Sequence, residues 1–131
     1  MNIALIAHDS KKKLMQSFCI AYRGILSKHS LHATGTTGRL IEEAANLSVH
    51  KYLSGPLGGV EQLGADIVEN TIDCVIFLRD PLEVKAHEPD PSGVIRLCDI
   101  HNIPVATNLA AGELFIHAIE RGDLAWREMY K

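Results

Sequence analysis

The sequence predicts an α/β protein: a single three-layer α/β/α domain over residues 1–131, built on one five-stranded parallel sheet. Two observations carry this. Five short apolar runs alternate with stretches whose apolar residues recur every three or four positions, the pattern of a parallel sheet with helices on both faces. Polar segments rich in glycine or hydroxyl groups recur where those runs end, and the carboxyl ends of strands form the ligand rim of an open parallel sheet. At 131 residues, 47% hydrophobic and 22% charged, the chain suits one domain with one core.

The first run, Asn2 to Ala7, is continuous rather than alternating, which suits a strand buried on both faces. It is short and lacks the leading positive region of a signal peptide. Leu14, Phe18, Tyr22 and Ile25 then mark a helix. Lys11, Lys12 and Lys13 stand at its start, where positive charge opposes the helix dipole. A solvated surface accounts for Lys11 and Lys13 and leaves Lys12 with a further role to seek. Leu31 to Ala33 is a second strand, followed by Thr34-Gly35-Thr36-Thr37-Gly38 as a polar turn, then a helix through Leu40, Ile41, Ala44 and Ala45. Capping that helix needs one hydroxyl. Three threonines are a surplus, and a helix N-terminus is a ready anion site.

Val49 to Leu53 is the third strand. Ser54-Gly55-Pro56-Leu57-Gly58-Gly59 follows, then a helix with Leu63, Ile67 and Val68 inward. This loop reads either as an ordinary strand-to-helix turn or as a second anion turn with its backbone close to a ligand. Asp73 to Leu78 is the fourth strand and the most central in character. After Arg79-Asp80-Pro81 comes the longest irregular stretch, Leu82 to Asp90, which contains His87. Asp90 before Pro91 has the form of an N-cap with proline at the first helical position, and Val94, Ile95, Leu97 and Cys98 continue that helix. Pro104 to Thr107 is the fifth strand. The last long helix starts near Asn108, holds Leu114, Phe115, Ala118 and Ile119, and stops near Gly122. The tail Asp123 to Lys131, with Trp126 and Arg127, suits docking on a neighbour.

The net charge of −3 and the lack of any basic block give no sign of nucleic acid or an anionic membrane as a partner. No apolar run approaches the roughly 20 residues of a membrane span. Cys19, Cys74 and Cys98 are odd in number, widely spaced and set in apolar runs. They read as buried reduced thiols, in keeping with the cytoplasm, and no pair has metal-ligand spacing.

Lys12 and the two glycine-bearing turns point to a phosphate. No G-x-x-x-x-G-K-[ST] string is present, and the first strand ends in His8-Asp9-Ser10 rather than in glycines. A small phosphorylated metabolite therefore fits better than a nucleotide. His8, His87, Asp9, Asp80 and Asp90 lie at the same predicted rim and are able to move protons. Asp90 serves equally well as a helix cap, and Asp80 before Pro81 as a turn former.

Taken together, Ile6-Ala7-His8-Asp9, Ala33-Thr34-Gly35-Thr36-Thr37-Gly38, Leu53-Ser54-Gly55-Pro56-Leu57-Gly58-Gly59, Arg79-Asp80-Pro81-Leu82, His87-Glu88-Pro89-Asp90 and Ile103-Pro104-Val105-Ala106-Thr107-Asn108 resemble the methylglyoxal synthase family, in order and over nearly the whole chain. The resemblance implies strand order 3-2-1-4-5 and a cytoplasmic homohexamer. It implies conversion of dihydroxyacetone phosphate to methylglyoxal and inorganic phosphate, with no metal or organic cofactor. It also implies that Lys12, Thr34, Gly35, Thr36, Thr37, Ser54 and Gly55 hold the phosphate. By the same resemblance His8 lies at the substrate, His87 works on its oxygens, and Asp9, Asp80 and Asp90 surround the site with Asp90 a second catalytic carboxylate.

One position departs from the family. An aspartate that serves as the base follows the Gly-Gly of the third loop there, and here that residue is Val60. Valine cannot accept a proton, and losing a general base costs about 10²- to 10⁴-fold in rate. Asp90 is the better substitute base and Glu61 the poorer, because successive helical residues point about 100° apart. The rival reading is a non-catalytic, effector-binding regulatory domain, resembling the one at the end of carbamoyl phosphate synthetase large subunits.

Overall fold

The computed structural model describes residues 1–82 and 90–131; residues 83–89, His87 among them, lie outside the described residues. Five parallel strands form one sheet in the order β3-β2-β1-β4-β5: β1 Asn2–Ala7, β2 Ser30–Ala33, β3 Val49–Lys51, β4 Cys74–Leu78 and β5 Val105–Ala106. In register, Leu5 pairs with Ala33, Ala33 with Lys51, and Ala7 with Leu78, so all the carboxyl ends reach one rim. The sheet order reverses between β1 and β4, which places the topological switch point, where such sheets bind ligands, beside His8 and Arg79.

The continuous apolar character of β1 and β4 reflects two cores. Ile3, Leu5, Ala7, Cys74, Ile76 and Leu78 face one layer, and Ala4, Ile6, Val75 and Phe77 the other. The first layer holds α1 (Lys12–Ala21), α3 (Gly35–Ala45) and α6 (Leu109–Arg121) through Met15, Phe18, Ile41, Ile116 and Ile119. The second holds α4 (Gly59–Val68) and α5 (Pro91–His101) through Leu63, Ile67, Val94 and Cys98. All three cysteines are free and buried, and burial pushes their thiols up to about 12 for Cys19 and Cys74 and about 11 for Cys98.

Several expectations need correction. The first helix does not run unbroken through Ile25: it halts at Tyr22 (φ −107°, ψ 22°) and a short α2, Arg23–Leu26, follows. Its buried stripe is Met15, Phe18 and Cys19, which leaves Leu14 exposed. Val68 and Leu114 are likewise exposed, because Leu63/Ile67 and Gly112/Ile116/Ile119 occupy the core-facing stripes of their helices. The Thr34–Gly38 string is not a loop, since α3 begins at Gly35, with Thr34 at its N-cap position and Thr36 and Thr37 in its first turn.

The tail also makes contacts within the chain that the sequence did not show. Residues 125–130 form a 3-10 turn that docks on its own chain at the amino end of the sheet. There the Arg127 Nε donates to Asp73 Oδ1 at 3.1 Å, its Nη2 to Asn70 Oδ1 at 2.7 Å and to the Ile72 carbonyl at 3.1 Å. The Lys131 ammonium lies 2.8 Å from the same carboxylate, which also accepts the Asn2 amide at 2.7 Å. Asp73 is fully buried and Arg127 nearly so. A buried carboxylate satisfied by two cations and an amide ties the tail down far more firmly than its polar composition suggested.

Candidate active site

The rim is built from four strand ends. At the end of β1, His8 is 1% exposed, and its ring meets Phe77 edge to face with centroids 5.2 Å apart. Its backbone amide donates to the Leu78 carbonyl at 3.1 Å, and its Nδ1 accepts the Asp80 amide at 2.8 Å. Asp80 in turn accepts the Ser10 hydroxyl on Oδ2 at 2.7 Å and the Leu82 amide on Oδ1 at 2.9 Å. Asp9 forms an ion pair with Lys12 at 3.2 Å, and Lys12 Nζ also donates to the Ala7 carbonyl at 2.9 Å. Those two contacts engage two of the three ammonium donors.

Lys12 lies one turn before Gln16 on α1, the helix that packs beside α3. Gln16, one turn further along α1, donates from Nε2 to the Leu40 carbonyl of α3 at 3.1 Å. Stepping back one turn on both parallel helices puts Lys12 opposite the Thr36–Thr37 end. At that end Thr34 occupies the N-cap position in extended conformation, yet makes no side-chain cap hydrogen bond. The first amides of a helix have no intrahelical partners, and here the cap residue does not occupy them. Thr34 and Thr37 are buried and Thr36 is exposed. Among the described residues, the Thr37 hydroxyl is the buried side-chain oxygen without a hydrogen-bond partner.

The third rim segment repeats the device. Ser54 precedes a 3-10 turn, Gly55–Leu57, again at the N-cap position without a side-chain cap bond. Its carbonyl instead accepts the amides of Leu57 at 2.9 Å and Gly59 at 3.1 Å. The two turns are joined at one peptide. The Gly35 amide donates to the Leu53 carbonyl at 3.3 Å, and a Cβ on Gly59 would stand 1.9 Å from that same oxygen. A Cβ on Gly35 would lie 3.1 Å from the Tyr52 carbonyl oxygen and 3.3 Å from the Ser54 nitrogen. Glycine at these positions is therefore set by close backbone approach rather than by turn flexibility. Gly58 has the other need, a left-handed φ of 104° at the head of α4, since a Cβ there would meet nothing closer than Glu61 Oε2 at 3.9 Å.

Val60, the second residue of α4, is half-buried and packs against the core layer of Ala4, Ile6 and Phe77, the same side of the sheet as the His8 ring. Glu61 is exposed, and its Oε2 lies 3.9 Å from where a Cβ on Gly58 would be, folded back over the glycine turn. Asp90 is exposed and caps α5: it accepts the Ser92 amide at 3.0 Å and the Ser92 hydroxyl at 2.8 Å. Those two bonds, the amide first, hold its carboxyl below the usual range and make it a weaker base than a free aspartate. The expected position of His87 lies outside the described residues. Among the described residues, no group of three or more His, Cys, Asp or Glu side chains is placed to hold a metal ion, and no helix is long and apolar enough to cross a membrane.

Sequence reasoning passed over Ser10, whose place beside Asp80 spans 70 positions, and the Asp73–Arg127 pair, which spans 54. It also passed over Tyr52, whose hydroxyl donates to Asp66 on α4; burial first, then that carboxylate, push the phenol up.

The geometry has counterparts. The family model described as the MGS-like domain matches residues 17–107. The methylglyoxal synthase of Caldicellulosiruptor saccharolyticus is 65% identical over 129 residues, 98% of this chain and 92% of that protein. That of Alkaliphilus metalliredigens is 60% identical over 131 residues, 100% of this chain and 98% of the relative. The crystal structure of methylglyoxal synthase from Elizabethkingia anophelis NUHP1 matches with a TM-score of 0.86 at 45% identity, covering 88% of this chain and 76% of that one. With the sheet order, the paired glycine turns and likeness of this degree along nearly the whole chain, the protein belongs to the methylglyoxal synthase family.

Proposed function

We propose that this chain, as one domain over residues 1–131, works on dihydroxyacetone phosphate by the synthase reaction, releasing methylglyoxal and inorganic phosphate in the cytoplasm without a metal or organic cofactor. Lys12, Thr34, Gly35, Thr36, Thr37, Ser54 and Gly55 hold the phosphate. A base takes a proton from the hydroxymethyl carbon, and the C–H pair becomes the π bond of an enediolate. His8 and His87 donate to the substrate oxygens that gather charge. As the C–O pair leaves with phosphate, the π pair shifts toward the phosphate-bearing carbon, and the oxygen on the former hydroxymethyl carbon gives up its proton and closes to the aldehyde C=O. This gives the enol of methylglyoxal, which takes up a proton to become the ketone. Departure requires the C–O bond to stand perpendicular to the enediolate plane, so two turns welded at Leu53 set a torsion as well as an affinity.

The observation that carries this reading is the Thr37 hydroxyl, buried and without a partner among the described residues, in the first turn of α3. An unpaired buried hydroxyl costs about 1–3 kcal/mol, and an anion at the open helix end offsets that cost. Asp9 and Asp80 hold Lys12 and His8 in place, and Asp90 is the carboxylate left to act as base. Because position 60 is valine, turnover is low and restorable.

The test is release of methylglyoxal and phosphate by this chain and by Val60→Asp. An aspartate at the second position of α4 keeps the favourable interaction with the helix dipole, and the expected gain is about 10²- to 10⁴-fold. No gain, with phosphate still bound, would sink the lost-base account and favour a regulatory domain of the same fold. The proposed homohexamer is tested by sedimentation equilibrium, where a monomer would refute it.

A further inference from the structure

His8 is the rim residue whose chemical state is most closely defined, and the groups defining it lie outside the expected substrate contacts. Its Nδ1 is 2.8 Å from the Asp80 backbone nitrogen. A peptide N–H only donates, so Nδ1 holds a lone pair, and the neutral ring carries its proton on Nε2. The Asp80 amide is kept there by its own side chain. One carboxylate oxygen accepts the Leu82 amide at 2.9 Å, which fixes the turn after β4. The other accepts the Ser10 hydroxyl at 2.7 Å, which ties that turn to the 3-10 turn Asp9–Lys11 after β1. The His8 amide donates to the Leu78 carbonyl, and the ring meets Phe77 at an interplanar angle of 82°.

We infer that Ser10 is a positioning residue: acting through the Asp80 carboxylate and amide, it holds His8 as the Nε2–H tautomer, so that His8 meets the substrate as a neutral hydrogen-bond donor. The opposite tautomer would present a lone pair to an oxygen that gains negative charge in the reaction. Asp80 shares this role, since both of its oxygens are engaged in holding its own amide against His8. The contribution to turnover rests on the proposed synthase reaction, whereas the tautomer does not.

Long-range ¹H–¹⁵N spectra of the labelled chain, with the His8 signals assigned by their loss in His8→Gln, read the tautomer directly. The expected pattern is a protonated Nε2 and an unprotonated Nδ1. In Ser10→Ala, at an exposed site, the expected result is a mixed tautomer signal. In the Val60→Asp background, Ser10→Ala should lower kcat/KM by about tenfold, the worth of one charge-assisted hydrogen bond. Ser10→Thr, which keeps the hydroxyl, should restore both. A protonated Nδ1 in the parent chain overturns the inference, as does a Ser10→Ala variant with unchanged spectrum and rate. If Val60→Asp makes no methylglyoxal, the synthase reading fails, and the spectra alone decide on Ser10.

Discussion

Replacing Thr37 by valine removes one hydroxyl from a buried site and leaves its shape nearly intact. The residue is 2% exposed, and among the described residues its hydroxyl lacks a partner. Leaving such a group unpaired costs about 1–3 kcal/mol, and valine and threonine have similar helix propensities. Thr37→Val should therefore raise stability in phosphate-free buffer by about 1–2 kcal/mol, or roughly 3–8 °C in melting temperature for a chain of this size. The phosphate-bound state should respond in the opposite sense. A hydrogen bond to a charged oxygen contributes about 1.5–3 kcal/mol, so Kd for inorganic phosphate should rise at least about tenfold. At phosphate equal to 100 times the parent Kd, the parent gains about 2.7 kcal/mol, and a variant bound tenfold more weakly gains only about 1.4 kcal/mol. Thermal unfolding of both proteins across a phosphate titration measures the two effects together, and the curves should converge as phosphate rises. A variant less stable without phosphate would mean that the hydroxyl is already satisfied, and an equal phosphate response in both proteins would place the anion elsewhere.

Other outcomes follow from single contacts. Gly59→Ala would drive a Cβ to 1.9 Å from the Leu53 carbonyl oxygen and 2.9 Å from its carbon, both backbone atoms. It should cost about 3 kcal/mol or more by urea unfolding, whereas Gly93→Ala, with nothing within 4 Å, should not destabilise. Arg127→Met removes one of the two cations on buried Asp73, and with Lys131 still in place should cost about 2–4 kcal/mol. The Asp73 carboxyl is pushed up by burial, but Lys131, the Asn2 amide and Arg127 outweigh this and hold it below the usual range. Its stabilisation is therefore complete above the ordinary carboxylate pKa of about 4 and is lost as pH falls through the lowered value. Arg127→Met should accordingly shift the acid-unfolding midpoint to higher pH. Asp90→Asn keeps a competent N-cap and removes a proton acceptor, so thermal stability should hold while methylglyoxal release by the Val60 parent falls at least about 10²-fold. Equal rates would remove Asp90 from the chemistry.

The architecture was legible because buried parallel strands leave a local mark. Asn2–Ala7 and Cys74–Leu78 are apolar on both sides, and each is followed by polar residues that became the rim. Strand order was not legible from periodicity, since a run of apolar residues does not say which run lies beside it; it followed only from the resemblance. The two glycine-bearing turns were visible as composition, but their division of labour was not. Nothing in Thr34, Thr36 and Thr37 as letters says that one is exposed and that another is buried with its hydroxyl unpaired. Helix ends misled for a related reason. Leu114 fits an apolar stripe by spacing, yet α6 turns Ile116 and Ile119 inward and leaves it in solvent. The Asp73–Arg127 pair was beyond reach because two charged residues 54 positions apart carry no local signal of each other.

The meeting of Gly35 and Gly59 on the Leu53 carbonyl has a kinetic consequence. Two loops that move independently must find their joint geometry at each binding event, and the entropy of ordering them is lost from affinity. Here both are anchored to one peptide plane, so that entropy is spent once, when the chain folds. An anion arriving at this rim should meet a receptor already in its bound shape. Its association rate should then follow diffusion and ionic strength rather than loop closure, and changes in affinity from residues along either turn should show up in how long the anion stays.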